Sequence, residues 1–178
     1  MTRRLSIIPI IHHQADMGTL APQLKLSRPA TSDLLIEDLW HQLRLAVLGL
    51  DLPWDRLRVY QDSLPHCGME RSIIRDVAVA GSPNFQLLEE LMALGSLVEG
   101  TESPLLLVQE LKHHRQPGAA NPEASAQLIL ARDRYIAQRI NDTLPPGEQG
   151  LLFIGMLHRV TPHLAPDVEV IYPLTVTA

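Results

Sequence analysis

Gly150-Leu151-Leu152-Phe153-Ile154-Gly155-Met156-Leu157-His158 is the stretch that decides the fold. Its apolar run is bounded by Pro145-Pro146-Gly147 on one side and Pro162 on the other. A run this short between turn residues reads as a strand buried on both faces, the kind found in parallel sheets covered by helices. In such sheets ligands bind beyond the carboxyl ends of the strands, where His158 stands. The bland alternative for His158 is a residue that closes the strand and bonds a loop carbonyl.

Working outward, strand-like and helix-like segments alternate. Leu5 to His12 is a first apolar run, with Pro9 awkward inside it because proline cannot donate to a ladder. His13 to Pro29 reads as a long polar loop. Asp33 to Gly49 reads as a helix capped by Ser32, with Leu35, Leu39, Leu43, Ala46 and Leu50 as its apolar stripe. Leu57 to Gln61 is a second strand, and Asp62 to Gly68 the loop after it. Met69 to Ala80 is a helix closed by Gly81. Ser82-Pro83 and Ser103-Pro104 open two more helices and flank a strand, Leu97 to Thr101. Asn121-Pro122 opens the longest helix, to about Leu144, and Val168 to Leu174 is a final strand. Strands separated by helices of this length give βαβ units. The expectation is a single α/β domain over residues 1–178: a mostly parallel sheet of about five strands with helices on both faces.

Composition narrows the function. The 178 residues are 46% hydrophobic and 20% charged, ordinary for a globular protein. A net charge of −5 and few aromatic residues argue against a nucleic-acid partner or an anionic membrane surface. The single cysteine, Cys67, leaves no intrachain disulfide and suits a reducing, cytoplasmic setting. The N-terminal apolar run is too short to span a bilayer. There is no G-x-G-x-x-G after a strand and no Walker loop. A small-molecule or peptide substrate is the expected partner, with a homo-oligomer formed through an edge-lying C-terminal strand as a further option.

Four strand ends carry residues able to do chemistry: His12, Asp62, Glu102 and His158. If they converge, His12, Glu102 and His158 suit a divalent transition metal such as manganese, cobalt or zinc, leaving a position for water. Asp62 would then serve as base or outer carboxylate, with His13 and Asp16 orienting an imidazole. Arg132 lies on the apolar stripe of the longest helix with Leu128, Ile136 and Ile140. A guanidinium there needs an anion: a substrate oxyanion in the sharper reading, an acidic strand-end residue in the plainer one. Asp133, Arg134 and Arg139 are placed on the solvated face, and His113-His114 in a polar linker.

Arg132-Asp133-Arg134-Tyr135-Ile136-Ala137 together with Gly155-Met156-Leu157-His158 resembles the C-terminal signature of the TraB/TIKI, ChaN and erythromycin-esterase-like superfamily. The N-terminal G-x-x-H of that group would fall on Pro9-Ile10-Ile11-His12, with proline in place of glycine. The resemblance implies an α/β fold with His12, His158 and Arg132 around one cleft. It implies a metal-dependent protease or hydrolase, a metal-independent esterase or a haem-binding protein. The leading expectation is a metal-assisted hydrolase in which Glu102 completes the ligand set. The alternatives are a non-catalytic binding or regulatory module, and a hydrolase whose nucleophile is Cys67, beside His66 at a helix start.

Overall fold

The apolar run forms a central strand in a computed structural model that describes residues 1–12, 16, 30–115 and 121–174, side chains at 30–34, 114 and 115 excepted. The strands are β1 (Arg3–Ile10), β2 (Arg58–Pro65), β3 (Leu97–Glu102), β4 (Gln149–Gly155) and β5 (Val168–Ile171). The helices are α1 (Ala30–Leu48), α2 (Glu70–Val79), α3 (Pro83–Ala93), α4 (Pro104–Arg115) and α5 (Pro122–Thr143). The sheet order is β3-β2-β4-β1-β5, and every pairing is parallel. No described helix is long and apolar enough to cross a membrane.

The unbroken apolar character of β4 follows from burial on both faces. Leu151 and Phe153 join Ile8, Val59 and Phe85 in one core. Leu152 and Ile154 join Leu5, Ile7, Tyr60, Ile136 and Ile140 in the other. Each such side chain, fully buried, contributes roughly 1.5–3 kcal/mol. The crossovers β1→β2 and β2→β3 run one way through α1, α2 and α3. The return from β3 to β4 runs the other way through α4 and α5, as right-handed crossovers require. β4→β5 continues in that direction with only a 3-10 turn, Thr161–His163; the Asn141 side chain of α5 holds this connection, donating to the His163 carbonyl and accepting from the Ala165 amide.

Local signals explain most boundaries. The Ser82 hydroxyl accepts from the Phe85 amide at 3.1 Å, and Asn121 accepts from Glu123 and Ala124. Pro9 is tolerated because β5 pairs with β1 only as far as Ser6, so β1 has a single neighbour there.

Two expectations need correction. α1 buries Trp40 and Val47, with Ile36 and Leu43 packed beside them, while Leu35 is 72% exposed and Leu39 is exposed too. The sequence offers two apolar stripes one residue apart, and Trp40 selects between them by burying its ring and donating to the Ile11 carbonyl at 3.1 Å. The second strand does not stop at Gln61. β2 continues through an irregularity between Gln61 and Pro65, where Ser63 has φ 68°. Bulges of this kind re-aim side chains next to functional sites.

Candidate functional site

β1 and β4 are neighbours whose outgoing connections leave in opposite directions, and a crevice opens at such a point. His12 follows β1, Gly155 ends β4, and Asp62 lies in the irregular part of β2, on the far side of β4 from β1. His12 Nε2 nevertheless lies 3.0 Å from Asp62 Oδ2. It crosses β4 at Gly155, where a Cβ would stand 3.0 Å from Asp62 Oδ2 and 3.1 Å from His12 Nε2. The same glycine's amide donates to Asp62 Oδ2 at 2.9 Å. The glycine of the G-x-x-H stretch thus removes the side chain that would separate the two groups.

Asp62 is fully buried and accepts from His12, the Gly155 amide, Arg132 at 2.9 Å and Ser63 at 3.3 Å. Burial alone would raise its pKa. The His12 hydrogen bond and the nearby charges of His12 and Arg132 outweigh that and hold it well below the carboxylate range. An ionised carboxylate this well satisfied is a poor proton acceptor, so its place is that of an anchor. Burial likewise disfavours charge on His12, but hydrogen bonds to Asp16 and Asp62 outweigh it and raise the pKa to about 10. His12 is therefore an imidazolium at neutral pH. Asp16, itself held by Ser82 at 2.5 Å, lies 3.5 Å from His12 Nδ1. His13 lies outside the described residues.

Arg132 projects from α5 into this cluster and engages carboxylates through all three of its nitrogens. Nε and Nη2 reach Glu102, Nη2 reaches Asp62, and Nη1 reaches both oxygens of Glu110 on α4. All three guanidinium nitrogens are thus engaged by carboxylates. The side chain is 6% exposed. The geometry favours the plainer reading: Arg132 is buried and binds the acidic end of β3, with each of its nitrogens turned to a carboxylate. Glu102 is buried beside Asp62, and burial lifts its pKa to about 7 although Arg132 opposes the shift.

His158 Nδ1 lies 2.6 Å from Asp133 Oδ1, and Asp133 Oδ2 accepts the Arg159 amide at 2.9 Å. Its Nε2 points toward Asp62 Oδ2 at 3.6 Å, beyond a hydrogen bond. Asp133 was expected on the solvated face and is buried. The signal was present: positions 132, 133, 136, 137 and 140 form one buried stripe on α5. Arg134 is exposed as expected, whereas Arg139 is half-buried and bonds Glu99 and the Gly100 carbonyl. Glu110 carried no sequence signal.

No family model, curated protein or solved structure matches this chain. The site has to be read from its own atoms.

Asp62, Glu102 and His158 offer ligand atoms within 4.8 Å of one another. Two carboxylates and an imidazole are suitable donors for a divalent transition metal. Charge argues the other way. Arg132 already bridges Asp62 and Glu102, so an ion there would face a guanidinium unless that contact opened. His12, expected as a ligand, is turned to Asp62 and Asp16. Cys67 is exposed, and Glu70 at the start of α2 accepts both the Cys67 and Gly68 amides. A carboxylate thus occupies the helix terminus that would have favoured a thiolate. His113 is not a solvated linker residue: it is half-buried in α4, with Nε2 2.9 Å from Ser125 Oγ.

Proposed function

We propose that the chain is a hydrolase in which the His158 imidazole takes a proton from water attacking an ester or amide carbonyl. The observation that carries this is the His158–Asp133 pair. In the tautomer that gives Nδ1–H to Asp133, Nε2 carries the lone pair, and at 3.6 Å it makes no hydrogen bond to Asp62. Water adds its oxygen to the carbonyl carbon and passes its proton to Nε2. The tetrahedral adduct then collapses, and the leaving oxygen or nitrogen takes that proton back. The products are a carboxylic acid and an alcohol or amine. Asp133 and Asp62 both stabilise the imidazolium that forms in between. His12, already cationic, adds positive potential on the other side of Asp62. Placement of the chain in the TraB/TIKI, ChaN and erythromycin-esterase-like group belongs to the same proposal. The function of Gly155 between His12 and Asp62 supports it.

A second reading keeps a divalent ion on Asp62, Glu102 and His158, favoured by the proximity of those three donors. Elemental analysis of protein purified without chelator separates the two. Hydrolysis that persists in metal-free protein supports the first; activity and thermal stability that depend together on manganese, cobalt or zinc support the second. The hydrolase itself is tested with a panel of esters, peptides and phosphoesters. His158→Ala should abolish turnover and Arg134→Ala, on the exposed face, should not. Ligand binding without turnover would make the chain a binding module instead.

A further inference from the structure

The geometry points to a substrate class for this site: we propose that the cleft beside His158 receives the apolar chain of a short- to medium-chain acyl ester, an inference that rests on the hydrolase reading. The cleft has a volume of about 380 Å³, and its lining includes Ile7, Pro9, Ile154, Met156, His158 and Tyr172. It exists because β4→β5 is the one crossover without a helix. α5 covers the adjoining part of that face, and among the described residues only the 3-10 turn at Thr161–His163 lies over its end. Seven of the eleven lining residues are apolar or aromatic, and the others are Gly155, Arg159, Thr161 and the proposed proton acceptor His158. The apolar surface continues around the mouth, where Met156 is 68%, Leu157 79% and Tyr172 54% exposed. A contiguous apolar rim leading to a polar group is the form of a ligand groove.

Size and polarity select the ligand. At the ~30 Å³ a water occupies, the cleft takes about a dozen heavy atoms. That accommodates a chain of several methylenes plus the ester group. The apolar chain would lie over Ile7 and Ile154 and put its carbonyl at His158. Arg159, also on the lining, is exposed and free to stay in solvent with the leaving group.

The test has two arms. Unbranched alkan-2-ones from acetone to 2-decanone carry the carbonyl and chain but no leaving group, and their binding is followed by protein NMR. Affinity should rise about fourfold per methylene, the factor given by ~0.8 kcal/mol per buried CH₂, and level off when the cleft is full. Thr161→Trp, at an exposed position on the lining, should weaken the longest ketones at least tenfold with an unchanged melting temperature. Tyr172→Ala should move the plateau to longer chains. Affinity independent of chain length, or indifferent to Thr161→Trp, overturns the proposal. So does a monomer-to-dimer shift on Thr161→Trp or its reverse, which would make the cleft a subunit contact. In the second arm, p-nitrophenyl esters from acetate to decanoate should show the same chain dependence in kcat/KM. Chain-dependent ketone binding without ester turnover would remove the hydrolase and leave the acyl cleft. Turnover without chain dependence would do the opposite.

Discussion

Asp133→Asn is a sharp perturbation because it changes one atom type and forces a choice. Asp133 accepts two hydrogen bonds at once, from the His158 ring and from the Arg159 amide, with a side chain 4% exposed. Asparagine has one oxygen and one NH₂. If the oxygen stays on His158, the NH₂ opposes the Arg159 amide and leaves a buried donor unsatisfied, a cost of about 1–3 kcal/mol. If the oxygen turns to Arg159, the NH₂ faces Nδ1, and the ring proton must move to Nε2. The second arrangement leaves no donor opposed to a donor, so it should dominate, and it removes the lone pair that accepts water's proton. Loss of a charge-assisted bond should lower the melting temperature by a few degrees, at about 2–4 °C per kcal/mol for a chain this long. Loss of the base should lower kcat by about 10²–10⁴-fold. The nitrogen-15 shifts of the His158 ring report the tautomer independently of any substrate, and kcat on the best ester of the panel reports the chemistry. An unchanged tautomer with kcat within about threefold of the parent would refute the assignment of His158 and Asp133.

The remaining predictions concern the cluster behind that pair. His12 has a folded-state pKa raised to about 10, so its stabilisation is complete below about pH 6.5 and disappears as pH rises through 10. Chemical denaturation should show the parent losing about 1–3 kcal/mol between pH 7 and 9.5, discounted because the ring is 25% exposed, and His12→Gln losing much less. Arg132→Met removes the one cation shared by Asp62, Glu102 and Glu110 and should cost about 3–5 kcal/mol in urea unfolding. Adding Glu102→Leu should recover part of that loss, and no recovery would mean that Arg132 acts by packing alone. Gly155→Ala introduces a Cβ about 3 Å from Asp62 Oδ2 and His12 Nε2, so one of them must move. An NMR titration should then place the His12 pKa back toward 6.5, and a value that stays near 10 would show that the strand yields instead.

Much was legible in the chain because the informative signals are local. The two-faced burial of Leu151 to Ile154, the proline-marked starts at Pro83 and Pro122, and the strand-end positions of His12, Glu102 and His158 all follow from spacing and residue type. The need of Arg132 for an anion was also local, since a guanidinium on an apolar stripe cannot stay unpaired. Strand order was not, because parallel strands are joined through long connections and their neighbours are chosen by packing between distant segments. Only the placement of β4 between β1 and β2 shows why residue 155 is glycine, and how His12 meets Asp62 across it. The same holds for the irregular turn at Ser63 that aims Asp62, for Glu110 as the third partner of Arg132, and for Trp40 choosing the buried side of α1. In each case the sequence supplied groups with unmet polar or apolar demands, and the tertiary fold decided which distant group would meet them.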